Sequence, residues 1–275
     1  MIVLDVTDPA QPKVAVEEET DRTVVSFAVF DNVLFCSGKG ALEIYELSAL
    51  PMMRKVSVLE GTVGGSTLIV DGSGKHLFLS GWDKGFDIVD FSDLEKPIYV
   101  SGCGCEYHSD DDEWSDRNNV KPCGITQMEK RGDFLIAIAM EDNVRKHREA
   151  LLICDVQRLE EPRLLSRIST SPIRTHAMAV SGDYAFAGGY EKILSIDIKQ
   201  PEEPEIVGEI ELRGVCEISS FQEKTAYMFP EVSYYHQTEI ALSELSTLPI
   251  RFIQSLLAGH LCLLRQATIL PCEKT

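Results

Sequence analysis

The 275-residue chain contains no apolar stretch long enough to cross a bilayer as a helix, which takes roughly 18–20 uncharged residues. The nearest approach, Ile250 to Leu270, is broken by Arg251, His260 and Arg265. The N-terminal Met-Ile-Val-Leu-Asp-Val-Thr-Asp-Pro lacks a basic region, an apolar core and a small-residue cleavage site, so it does not read as a signal peptide. No Asn-x-Ser/Thr sequon occurs. Positive charge is scarce, with 26 Lys and Arg against 44 acidic residues and a net charge of −18. Phosphate affinity is built from clustered Lys and Arg, so a nucleic-acid binder is excluded as the main reading. The G-x-S-x-G, H-E-x-x-H, G-x-G-x-x-G and C-x-x-C motifs are all missing. Asp71-Gly-Ser-Gly-Lys75 comes nearest to a phosphate loop, but Ile69 stands at its first glycine and His76 at its Ser or Thr. It reads as a hairpin turn. No reaction can be read from these residues.

What is present is globular in composition: 44% hydrophobic and 25% charged residues. A chain of this length needs neither metal nor disulfide to fold. Eight cysteines (36, 103, 105, 123, 154, 216, 262 and 272) have no small-scaffold spacing, and several sit inside apolar runs such as Val33-Leu-Phe-Cys and Leu151-Leu-Ile-Cys. Reduced core thiols and a cytoplasmic location are expected, or export if a leader has been removed.

One phrase recurs six times: an alternating apolar run, an acidic residue, a turn, then Pro. Its anchors are Asp5, Glu46, Asp90, Asp155, Asp197 and Glu244, spaced 41, 44, 65, 42 and 47 residues apart. Pro follows seven residues later in four copies and five later in two. An Asp at a strand end accepts backbone hydrogens from the following turn, and Pro stops the ladder, so these residues read as structural. Between anchors, segments such as Ala177-Met-Ala-Val-Ser-Gly-Asp-Tyr-Ala-Phe-Ala show two apolar runs around a tight turn, a hairpin signature. Four short antiparallel strands per period of just over 40 residues make a propeller blade.

The segments Leu194-Ser-Ile-Asp-Ile-Lys-Gln-Pro and Ile2-Val-Leu-Asp-Val-Thr-Asp-Pro, with the hairpin Val180-Ser-Gly-Asp-Tyr-Ala-Phe, resemble LVIVD repeats. The resemblance runs over essentially the whole chain and is strongest at residues 1–15, 65–101 and 175–212. It implies an all-β propeller and little about activity; members of that family often occur on exported proteins. The expected fold is a single β-propeller domain, 1–275, of six four-stranded blades. The repeats fall at about 22–57, 64–101, 120–168, 172–211 and 214–255, with 1–17 closed by 258–275. Because the chain starts at a third strand, both termini share one blade. Residues 250–270 also suit an apolar helix, and an interrupted seventh blade is the competing count.

Loop length then locates function. Turns at one end are minimal, whereas Cys103–Lys121, Glu141–Arg148 and Pro230–Gln237 extend the other end. Long structureless insertions in compact domains are usually functional or disordered. The 103–121 insertion carries Asp110, Asp111, Asp112, Glu113 and Asp116, oxygen ligands without the spacing of a calcium loop, and the aromatics Tyr107 and Trp114. Tyr234, Tyr235 and His236 fall on the same face. This acidic, aromatic face points to a non-enzymatic binding module for a protein or small molecule.

Aligning the hairpins places Val25, Ser66, Cys123, His176, Cys216 and His260 at the starts of the innermost strands, the channel mouth. Cys123, His176, Cys216 and His260 are zinc- or copper-ligand types. The alternative is therefore a metal-dependent enzyme or metal-binding protein with its site there.

Overall fold

In a computed structural model the described residues are 1–17, 22–38, 40–49, 52–81, 85–103, 106–107, 121–122, 124–143, 146–170, 175–222 and 225–231. All belong to one compact unit, Met1–Glu231. Among them every regular element is a strand. β1 (Ile2–Asp5) and β2 (Lys13–Glu17) form an antiparallel pair. The first blade follows as β3 (Val24–Phe30), β4 (Val33–Gly38), β5 (Ala41–Ala49) and β6 (Met52–Glu60). The second comprises β7 (Leu68–Val70), β8 (His76–Ser80), β9 (Phe86–Asp90) and β10 (Ile98–Cys103). A two-residue ladder joins β11 (Glu106–Tyr107) to β12 (Lys121–Pro122). The third blade is β13 (Gly124–Arg131), β14 (Phe134–Asn143), β15 (Lys146–Asp155) and β16 (Arg163–Ser169).

The fourth sheet orders β17 (Thr175–Ser181), β18 (Tyr184–Asp197), β19 (Glu205–Gln222) and β20 (Thr225–Glu231). Here β18 and β19 are each continuous over more than one blade strand. A straight 14-residue β18 would hold its ends roughly 40 Å apart. Yet the Ile198 N–H donates to Asp183 O at 2.8 Å, matching Leu47 to Asn32, Phe91 to Lys75 and Val156 to Asp133 in the other blades. β18 therefore folds back on itself and supplies the second and third strands of the fourth blade. β19 is also shared. Residues 205–211 pair with β18 as the outer strand, and residues 215–222 pair with β20.

The acidic anchors do what their chemistry dictates. Asp5, Asp90, Asp155 and Asp197 each accept the backbone N–H two residues on, at 2.7–2.9 Å. Each pair of third and fourth strands then carries a β-bulge at the same place, with Ala15, Val56, Val100, Leu165 and Val207 as the extra residues. A bulge re-aims the next side chain and strengthens the twist. In three blades that next residue is a serine that clips the following blade: Ser57 Oγ donates to Leu94 O at 2.6 Å, Ser101 to Leu159 O, and Ser166 to Pro201 O. The hairpin turns share a device too. Asp31, Gly132 and Gly182 all have φ of 51–57°, the positive value that a II′-type two-residue turn requires at its first position.

The core lies between blades. Phe35, Leu42 and Ile44 of the first blade pack on Leu77, Leu79 and Val89 of the second. Phe78, Phe86 and Ile88 pack on Ile125, Leu135 and Leu152 of the third. Ile136, Ile138, Leu151 and Ile153 pack on Ala185, Ala187, Leu194 and Ile196 of the fourth. Each fully buried large side chain contributes about 1.5–3 kcal/mol. Gly65 permits close approach where the first blade leads into the second, because a Cβ there would collide with the Ser80 carbonyl. By contrast Ile2, Leu4 and Val14 on the β1–β2 pair are exposed, as are Phe27 and Val29 on β3.

Candidate functional site

The end where the innermost strands begin carries the 103–121 insertion. It leaves from the end of β10 and returns through the ladder Glu106↔Pro122 and Tyr107↔Lys121. Immediately beyond, the start of β13 is fixed by the Gly85↔Gly124 bridge and by Ile125 N donating to Gly81 O at 2.6 Å. Residues 108–120 are thus an excursion between two anchored backbone positions. Tyr107 lies in the ladder at its base. Asp110, Asp112, Trp114, Tyr234, Tyr235 and His236 fall outside the described residues.

The strand starts are held by side chains that bridge blades. Ser66 Oγ donates to Thr126 O, and Thr67 Oγ1 reaches the same carbonyl at 3.3 Å. Ser66 is thereby engaged with the neighbouring blade. Two buried carboxylates serve the linking segments: Asp87 accepts Val63 N at 2.7 Å, and Glu149 accepts Thr175 N. From β13, Gln127 accepts Met178 N and Glu129 accepts Val180 N at 3.0 Å, capping the open edge of β17. Burial raises the Glu129 carboxyl pKa, and the Val180 N–H offsets part of that rise. These acids satisfy backbone donors that would otherwise be buried unpaired.

The ladder register also revises the mouth alignment. Val25, Thr126, His176 and Ser219 are the extra residues of the bulges between first and second strands. Cys123 and Cys216 each stand three residues before that register. Cys123 and His260 fall outside the described residues, and only the backbone of His176 and Cys216 is described. Among the described residues no three His, Cys, Asp or Glu side chains gather as a metal site.

One polar cluster had no sequence signal beyond an odd buried acid. Glu43, 3% exposed, accepts Tyr45 OH at 2.8 Å and Lys55 Nζ at 3.1 Å. Burial and this carboxylate push the Tyr45 phenol up to about 12, and burial with Glu43 pushes the Cys36 thiol up to about 11. Both groups therefore stay protonated at neutral pH. Packed with Leu34 and Met1, the cluster is a satisfied core network.

The repeated anchor, bulge and four-stranded sheet define a β-propeller blade. Residues 64–104, the second blade and its lead-in, match the LVIVD repeat. A propeller-like structure of a protein from Lactobacillus plantarum is similar over 76% of this chain and 62% of its own, with 14% identity and a TM-score of 0.58. At that identity the likeness speaks for the fold alone. The chain spans about three fifths of that protein's length. More distant are the N-terminal domain of Nup159 (10% identity, 70% of this chain and 45% of that one, TM-score 0.42) and a chain of the S. cerevisiae complex of Dbp5 with Nup159, Gle1, IP6 and ADP (9%, 72% and 49%, 0.40). No curated protein sequence matches the chain.

Proposed function

We propose that this chain is a non-enzymatic binding propeller of six blades that presents the acidic, aromatic 103–121 face, with Tyr234, Tyr235 and His236, to a protein partner with a basic surface. The observation that carries the reading is the anchored base of the insertion. The residues that flank Asp110, Asp111, Asp112, Glu113 and Trp114 in the sequence are paired, Glu106 with Pro122 and Tyr107 with Lys121, which supports presentation of that segment as a binding loop. Aromatic side chains amid charge are the usual anchors of such surfaces. A reducing compartment suits the buried thiols of Cys36 and Cys154.

Closure of the sixth blade by residues 258–275 is supported by where apolar surface is left open. Ile2 and Leu4 on β1, and Phe27 and Val29 on β3, are between 52% and 61% exposed. The β1–β2 pair carries the same bulge as every other third and fourth strand, so it is the outer half of a blade whose inner half comes from elsewhere. Removing residues 258–275 should lower the melting temperature and raise binding of an apolar dye.

The functional test replaces residues 108–120 with a Gly-Ser linker of equal length. The variant should melt like the parent and lose the partners that the intact chain retains on affinity resin. Identical retained proteins would overturn the reading.

A further inference from the structure

The other end of the blades, where the hairpin turns lie, holds a pocket of about 470 Å³ at the junction of the third and fourth blades. Phe134, Ile136, Ile153 and Ile198 form its apolar walls, Pro201 lies at its lip, and Arg131 pairs with Asp183 across it at 2.9 Å. Its volume is within the range of pockets that hold ligands.

The repeat marks what differs at this junction. Four residues after the anchors Asp90, Asp155 and Asp197, one side chain of the turn lies against the preceding blade. In the second and third blades it is Leu94 and Leu159, each half-buried against the interblade core. In the fourth it is Pro201. The turn itself is unchanged: Lys96 N to Asp93 O, Glu161 N to Arg158 O and Glu203 N to Gln200 O are bonded at 3.0–3.1 Å. The serine clip also holds all three turns to the blade before them, through Leu94 O, Leu159 O and Pro201 O. The fourth turn is thus fixed in the common position and lacks only its leucine. On the same junction Ala185 stands where Leu77 and Leu135 stand, by the equivalence of the Asp183, Lys75 and Asp133 carbonyls.

We propose that this opening is a receptor for a leucine side chain of a partner polypeptide, inserted where the molecule omits its own. The occupant is argued from the neighbouring junctions, in which a leucine fills the same place. The rim offers both signs of charge, Arg131 and Lys199 with Asp133 and Asp183, to the residues flanking that leucine. The site is independent of the acidic insertion and faces the opposite end.

The test titrates the full chain, labelled at isoleucine methyls, with acetyl-Gly-Leu-Gly-amide and with acetyl-Gly-Ala-Gly-amide. The leucine peptide should shift the Ile136, Ile153 and Ile198 resonances saturably, with Ile88 unmoved, and the alanine peptide should bind at least about tenfold more weakly. Pro201→Leu should abolish the shifts by supplying the missing side chain, whereas Pro201→Ala should retain them. Pro201→Met fills the same place from the same lining position and serves if Pro201→Leu does not fold. Absence of saturable shifts in the parent, or their survival in a folded closing variant, overturns the proposal.

Discussion

The junction between the second and third blades and that between the third and fourth are built on one frame and filled with side chains of different size. The former is packed with Phe78, Phe86, Ile88 and Leu135, and Leu159 closes its lower edge. The latter sets Ile136, Ile138, Leu151 and Ile153 against the small Ala185 and Ala187, and is tied in addition by Gln127, Glu129, Glu149 and the Arg131–Asp183 pair. Apolar packing is non-directional and leaves little room to vary. Hydrogen bonds to backbone N–H groups fix the same geometry with fewer buried atoms. The polar junction can therefore spare volume, which is where the pocket opens.

The comparison breaks most visibly on the packed side. Phe78 is fully buried, so Phe78→Ala should cost about 3–5 kcal/mol in urea unfolding through lost transfer energy and the cavity left behind. A loss below about 1 kcal/mol would show that the junction is not held by packing. The polar side is tested by Glu149→Ala, which strands the Thr175 N–H in a buried site and should cost about 1–3 kcal/mol. If Glu149→Ala matched Phe78→Ala in size, the division between the two junctions would fail.

Much of this frame was legible from residues alone. The anchor carboxylates, the Pro that ends each turn and the tight hairpins fixed strand order because each reflects a local backbone demand. The serine clips were not legible. Ser57, Ser101 and Ser166 lie eleven residues after their anchors, on the far side of a bulge, and a lone serine carries no periodicity until the bulge is seen. A second set of bulges, between first and second strands, marks the mouth, and Cys123 and Cys216 miss it by three residues. Val25, Thr126 and His176 each precede their hairpin turn by six residues, whereas Cys123 precedes it by nine. The pocket was hidden for a related reason. It adjoins Pro201, where the equivalent turns carry leucine, and such an absence shows only once those turns are superposed. Loop length drew attention to the opposite end.

A smaller effect separates what the two junctions share from what they do not. Both are closed by a clip, Ser101 at one and Ser166 at the other, so Ser101→Ala and Ser166→Ala should each cost about 0.5–1.5 kcal/mol. The two lie in different blades without common partners, so their costs should add in the double variant. A marked departure from additivity would mean that strain passes through the third blade and that the junctions are not independent.

The smallest expected effect is one of sign. Burial raises the Glu129 carboxyl pKa in the folded chain, so the native state holds its proton more tightly than the unfolded state. Between the unfolded and folded values the native form binds more protons, and stability contributed by this group falls as pH rises through that window. Above it the charged carboxylate is a net burden, retained because it caps Val180 N. Glu129→Gln keeps an acceptor for that N–H and removes the charge. Its stability relative to the parent should therefore be greatest at neutral pH, by under about 1 kcal/mol because the side chain is only half-buried. The gain should shrink as pH falls through the raised native pKa and vanish below the ordinary carboxylate range. Parallel urea titrations at pH 7 and pH 4 measure it. A gain that grew on acidification would mean that Glu129 is stabilised as a carboxylate, and the polar junction would then rest on charge rather than on the hydrogen bond alone.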